Sequence, residues 1–462
     1  MSLIIPANSA VGGGYDVDNS LRFNVGSNDF LSRTIGTPTD EDKWTFSVWL
    51  KVTSDAPSNL FGILSSGDYP SAYETIHLNG SDQLFYHYND GGGANHGSTK
   101  YSGIIRDPSA WYNLIVSRNG TAGKIYINGT DVTTIVGAFN NSTNVINKSG
   151  GTLRVGHSER ERTGQSWNGY MSEVVFCDGQ LLDETSFGEF DSDSGIWKPI
   201  DVSGLTFGTN GFYLDFEDSA ALGDDVSGNG NDFTVNNLTS IDQTTDTPTN
   251  NFATLNPLHY YLDNTTENGN LTYKPTTTST YPYIFSTLGV TKGKWYVEFK
   301  KFNGSSSLFG ILDADKYPLP VFLGHGTDDW GWLDSGWFYN NGSNVLAVNT
   351  YSANDIVGLA LDLDNDALYF SKNGTWETVN GSSGDPESGS AKTGAIEIAS
   401  DKTWLIGVGT GGGSPNDLNL NFGSPPYSES GGNSDGNGYG NFNQAVPNGY
   451  YAINTKNLSE FG

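Results

Sequence analysis

Two stretches of this chain concentrate residue types that can grip a sugar. Residues 86–96, YHYNDGGGANH, offer Tyr88, Asp90, Asn95 and His96 around three glycines, and residues 325–339, HGTDDWGWLDSGWFY, offer His325, Asp328, Asp329, Trp330 and Trp332. Aromatic rings pack against the C–H face of a pyranose, carboxylate, amide and imidazole groups bond its hydroxyls, and glycine lets backbone approach closely. The same residues also suit core packing and turns, above all Trp337, where WFYNNG reads as a strand running into a turn.

Metal chemistry is less well supported. Asp362, Asp364 and Asp366 alternate like the start of a calcium loop, but such a loop needs Gly sixth and Glu twelfth, where this chain has Ala367 and Asn373. The surrounding YSANDIVGLALDLDNDALYFSKNGTW instead predicts a hairpin, with Leu361, Leu363, Leu368 and Phe370 in the core and Asp364–Asp366 at the turn. No cofactor is expected, and structural calcium is the one metal the pattern admits. Asp225, Asn229 and Asp232 have the types of a metal site, although a Gly/Asn turn is the commoner use of that spacing. The six histidines lack metal-ligand spacing.

Covalent chemistry finds no footing either. Gly407 to Gly412 spells G-x-G-x-x-G after a strand, but GSPNDLNLNFG cannot begin the helix that a dinucleotide requires. Gly432 to Gly436 spells G-x-S-x-G inside a low-complexity segment with no strand or helix around it. Cys177, the one cysteine, ends an apolar run and reads as a buried thiol, and a lone cysteine excludes an intramolecular disulfide scaffold.

The elements that must hold these groups are strands. Of 462 residues 13% are aromatic and 60 are glycine, about twice the average usage, while amphipathic helical runs are scarce. Nine strand-like runs, from SLRFN to WNGYMSEVVF, fill residues 15–200, and a second set including GKWYVEFK, SLFGILDAD, KTWLIGVG and DLNLNFG fills 258–425. The expected architecture is all-β: two antiparallel β-sandwich (jelly-roll) domains joined by an extended connector, 201–257, whose Thr/Asn/Asp-rich half holds too few apolar residues for a core. An N-terminal arm, 1–14, and a Gly/Asn-rich segment, 426–462, complete the chain. LFGIL occurs twice, at Leu60 and Leu308, each followed by YP, which points to convergence on one strand chemistry or an ancient duplication.

A net charge of −29 with 23 Lys and Arg excludes phosphate-led nucleic-acid binding. No apolar run approaches the ~18 residues of a membrane span, and MSLIIPANSAVGGG is too short for a signal core, so a soluble protein without an export signal is expected.

The order of SLRFN, WTFSVWLK, WYNLIVSRNG, KIYINGT, GTLRVG and NGYMSEVVF resembles the laminin-G-like, concanavalin A-like lectin fold. WYVEF, DIVGLALDLDNDALYFSKNG and NFG, in that order, resemble the SPRY family, a β-sandwich used for binding. Between them SFGEFDSDSGIWKP, GTNGFYLDF, DVSGNGNDFTVNNL and TPTNNFATLNPL resemble a connector of tailed-phage structural proteins, particularly of marine phages, and GFYLDF with DVSGNGNDF also resembles the opening of a further laminin-G-like domain. The lectin-like fold class includes glucan hydrolases, but their Glu-x-Asp-x-x-Glu strand does not occur, and Asp183, Glu184 and Glu189 lie in a turn-like passage. The resemblance implies a non-catalytic virion protein, a tail fibre or appendage that binds a host surface glycan. The alternatives are a capsid or tail decoration protein and a polysaccharide-degrading enzyme. Its implied partners are other virion proteins, host glycan and further copies of itself, such as a trimer, without nucleic acid or membrane insertion. Its implied place is the virion surface, after synthesis in the host cytoplasm and release by lysis.

Overall fold

The computed structural model describes residues 14–53, 61–67, 71–91, 96–133, 144–158, 165–263, 265–276, 280–317, 322–412 and 417–462. Two compact units emerge, Ala7–Asn250 and Asn251–Gly462, each an antiparallel β-sandwich.

In the first unit one sheet runs in the order Thr130–Asp131, Ala122–Ile127, Trp111–Asn119, Lys43–Val52, Gly169–Asp178, Ser20–Phe23, Gln243–Thr244, with Phe212–Leu214 also paired to Gly169–Asp178. The other runs Thr234–Asn236, Phe30–Thr34, Thr152–Val155, Phe61–Gly67, Ala72–Leu78, Leu84–Asp90, His96–Lys100. Period-two alternation explains the core: Trp44, Phe46, Val48 and Leu50 face the opposite sheet, while Trp49 and Lys51 face outward. At Ser172/Val175 a bulge shifts the register, so that Val174 and Phe176 point inward and Val175 outward. Cys177 is buried on that outer side, and burial pushes its thiol up to about 12.

That outward face is apolar and does not meet water. Ile115, Tyr126, Val175 and Cys177 pack with Phe187, Val202, Phe207 and Tyr213, and Trp197 covers Trp49, Trp111 and Tyr170 while its Nε1 donates to Asn113 Oδ1 at 3.0 Å. Residues 201–250 therefore are not a linker. They supply three strands and a covering layer to the first sandwich, and GFYLDF opens no further domain, because Phe212–Leu214 pairs with Gly169–Asp178. Each large side chain buried in this way contributes about 2 kcal/mol, which repays ordering a segment too poor in apolar residues to fold alone. Asp225 is occupied as a turn residue: its oxygens accept N–H groups of Tyr213, Ser227 and Asn231 at 2.8–3.0 Å.

In the second unit one sheet runs Leu255–Tyr261, Tyr283–Ser286, Trp404–Thr410, Ser307–Asp313, Asp329–Leu333, Trp337–Asn340, Ser343–Ala347. Its partner runs Thr266–Glu267, Thr272–Tyr273, Leu418–Asn421, Lys294–Lys301, Ile356–Asp362, Ala367–Lys372, Thr375–Trp376, with Ile396–Glu397 paired to Ala367–Lys372. The expected hairpin forms between Ile356–Asp362 and Ala367–Lys372, with Leu361, Leu368 and Phe370 in the core, and Leu363 packed against it. Asn373 and Gly374 then turn the chain back with φ of 49° and 81°. At the earlier turn Asp362 accepts the N–H groups of Asp364 and Asn365, each at 3.1 Å, and pairs with Lys294 at 2.9 Å. Those oxygens already serve the turn.

The glycines of the two LFGIL copies, Gly62 and Gly310, lie on strands inside their sheets, where another backbone passes closely. A Cβ on Gly62 would collide with the His157 and Ser158 backbone, and one on Gly310 with the Trp330 carbonyl.

The segment 426–462 also folds. Phe442, Tyr450 and Ala452 cover Tyr296, Ala360 and Tyr369, and the chain ends in the helix Thr455–Phe461. Asp435, inside the G-x-S-x-G run, accepts the Ala452 and Tyr439 N–H groups, both at 2.9 Å. Buried Glu298 fastens the same segment through the N–H groups of Asn443 at 2.8 Å and Gln444 at 2.7 Å. Burial pushes this carboxyl up from 4.5 to about 7, against the pull of those two bonds. The folded state thus keeps a proton that the unfolded chain has released, so this group's contribution to stability is full below about pH 4.5 and lost as the pH rises through about 7. Melting followed across that window should show wild type losing stability relative to Glu298→Gln. Parallel profiles would contradict the assignment.

Candidate functional site

The hairpin Asp329–Leu333/Trp337–Asn340 divides the predicted sugar-binding residues between its two faces. Trp332 lies opposite Phe338, which lies opposite Leu346, all on the face toward the core. Trp332 is fully buried there, meets Phe370 with ring centroids 5.7 Å apart, and donates from Nε1 to the Asn349 carbonyl at 3.1 Å. It therefore has no face to offer a ligand. Trp330, two residues earlier, shares this face but reaches only the open end of the sandwich and is half-buried.

Asp329, the strand neighbour of Trp330, points to the opposite face. Asp329 is fully buried and accepts the Gly324 N–H at 2.5 Å, with burial pushing its carboxyl up to about 6. Asp328 pairs with Lys316 at 3.5 Å and Lys402 at 4.0 Å. His325 packs its ring against Phe322, 5.4 Å away. These three serve the hairpin and its loop. Of the five, Trp330 lines an open cavity.

In the other stretch, the expected loop is mostly strand. Tyr88 and Asp90 belong to Leu84–Asp90, with Tyr88 half-buried against the core, and His96 begins His96–Lys100, opposite Asn89. Asn95 lies outside the described residues.

The cavity beside Trp330 has a volume of about 550 Å³, within the range of small-ligand sites. Trp330, Phe338, Leu346, Val379 and Ile396 form its apolar lining. Asn380, Ser382, Lys392 and Glu397 add polar groups. The far wall is placed by two pairings: Thr378–Val379 with Ser382–Ser383, and Ile396–Glu397 with Ala367–Leu368. Asn380 and Lys392 stand in left-handed backbone, φ 50° and 48°, one at the tip of its hairpin and the other closing a short 3₁₀ turn. An indole face beside amide, hydroxyl, ammonium and carboxylate groups can seat one or two sugar rings and bond their hydroxyls.

Sequence reasoning found Trp330 but none of these polar partners. Residues 380–394, NGSSGDPESGSAKTG, carry no strand or helix period, and their one local signal is a lysine among small residues.

Residues 14–185 match the concanavalin A-like lectin/glucanases superfamily. No curated protein matches the chain. Among solved structures, the SPRY domain of human HERC1 is 17% identical over 36% of this chain and 96% of its own, with a TM-score of 0.29. The heptameric SAP-like pentraxin of Limulus polyphemus is 17% identical over 37% of this chain and 80% of its own, TM-score 0.27. The CBM40 of a Ruminococcus gnavus sialidase, bound to α2,3-sialyllactose, is 14% identical over 35% of this chain and 96% of its own, TM-score 0.26.

Proposed function

We propose that this chain is a non-catalytic glycan-binding protein and that the Trp330 cavity is its saccharide site. The observation that carries this reading is the half-buried Trp330 at an open cavity, with polar side chains placed around an apolar lining. The concanavalin A-like match of residues 14–185 supports a carbohydrate-binding class for the chain. The likeness of residues 179–257 to connectors of tailed-phage structural proteins supports a virion protein, a tail fibre or appendage that attaches to host surface glycan. Weak single sites of this size gain from several copies acting together, so the working form is a homo-oligomer.

A glycan array with the purified chain tests the reading. Specific glycan binding is expected, and Trp330→Ala should weaken it at least tenfold, since a buried indole face contributes about 2 kcal/mol. Melting of the variant serves as the control for folding. A chain that binds no host glycan and instead coats the capsid lattice is a decoration protein, and release of reducing sugar from host polysaccharide would make it an enzyme.

A further inference from the structure

The cations of the second unit are few and almost all are committed. Residues 251–462 contain no arginine, and six of their ten lysines, 274, 294, 301, 316, 372 and 402, pair with carboxylates. Lys300 and Lys456 stand over aromatic rings. Lys292 is exposed to solvent, where a cation needs no partner. Lys392 differs from all of these. It is half-buried in the wall of the Trp330 cavity, and no described residue of the unit forms an ion pair with it. No acidic residue of 251–462 falls outside the described set, so the chain holds no hidden counter-ion for it within this unit.

A lysine in the cavity wall without a carboxylate partner leaves its ammonium available to an anion that enters the cavity. The backbone of Lys392 is anchored at that wall, in the left-handed region with its N–H bonded to the Gly389 carbonyl at 3.0 Å. Glu397, at the same cavity, is exposed and, on the saccharide reading, is an acceptor for sugar hydroxyls.

Resting on the saccharide reading above, we infer that the site selects acidic sugars, whose carboxylate or sulfate pairs with Lys392 while the ring lies on Trp330. A chain of net charge −29 repels anions at long range, so the preference is set by contact within the cavity and not by steering.

The test is a panel of matched glycans: uronate oligosaccharides with their carboxyl-reduced forms, sialylated glycans with their desialylated forms, and sulfated glycans with their desulfated forms. Wild type should favour acidic members about tenfold, the size of one half-buried charged hydrogen bond. Lys392→Gln should erase that ratio, bringing acidic members down to their neutral counterparts, and Trp330→Ala should weaken both kinds. The arm with the greatest ratio distinguishes carboxylate from sulfate. An unchanged ratio in Lys392→Gln, or equal wild-type binding within each pair, overturns the inference and leaves the saccharide reading standing. No binding anywhere on the panel overturns both.

Discussion

Replacing Glu74 by Ala should destabilise the first sandwich by about 3–5 kcal/mol, the cost of leaving one member of a buried ion pair alone. Glu74 and Arg118 come from opposite sheets and meet inside the core, both essentially without solvent contact. Glu74 also accepts the Tyr86 hydroxyl and the N–H groups of Val145 and Ile146, each of these two at 2.9 Å. Its removal strands a cation and three further donors in low dielectric at once. Denaturant unfolding measures the loss. Glu74→Met combined with Arg118→Leu should lose much less than Glu74→Ala, because a buried pair replaced by apolar groups is often neutral. A single variant within ~1 kcal/mol of wild type would show that the network carries no such weight.

Asp246→Ala should be about as damaging, and its effect should appear first in the covering layer. Asp246 pairs with fully buried Lys51 at 2.6 Å and accepts Trp111 Nε1–H at 3.2 Å. It thereby ties residues 243–249 to the outward face of the sheet. Burial holds the Lys51 ammonium below its ordinary value, and Asp246 supplies the largest offset to that desolvation. The expected result is a loss of about 3–5 kcal/mol, with faster amide exchange in residues 243–249 and along Ser20–Phe23, which pairs with them. Exchange that stays slow there would mean that the layer is held by its aromatic contacts alone.

These two predictions mark where the sequence was hard to read. Strands such as Lys43–Val52, Trp111–Asn119 and Lys294–Lys301 were legible because period-two alternation survives in isolation. The Asn373–Gly374 turn was legible because few residues accept positive φ at both positions. The covering layers carry no period. Trp197, Phe207, Phe442 and Tyr450 are scattered through Gly/Asn-rich chain, and their role exists only once an outward apolar sheet face is there to receive them. A sheet apolar on both faces was the missed clue: Trp49 and Lys51 flank the inward-facing Leu50 on the strand, an outward pair that only a third layer can bury.

The site divides in the same manner. The cluster HGTDDWGW drew attention by composition, but a strand sends neighbouring residues to opposite faces, so Asp329 and Trp330 could not both line one cavity. Trp332, on the correct face, lies too deep. Asn380 and Lys392 come from a distant loop and Glu397 from the short strand after it, and no local pattern encodes their spacing to Trp330.

The most direct measurement of the central claim is a crystal structure of the full chain with the tightest-binding glycan from the array. A sugar ring is expected on Trp330, with hydroxyls bonded to Asn380 and Glu397 and an acidic group at Lys392. A glycan seated elsewhere, for example along the Leu84–Asp90 strand, with the Trp330 cavity filled only by water, would contradict it.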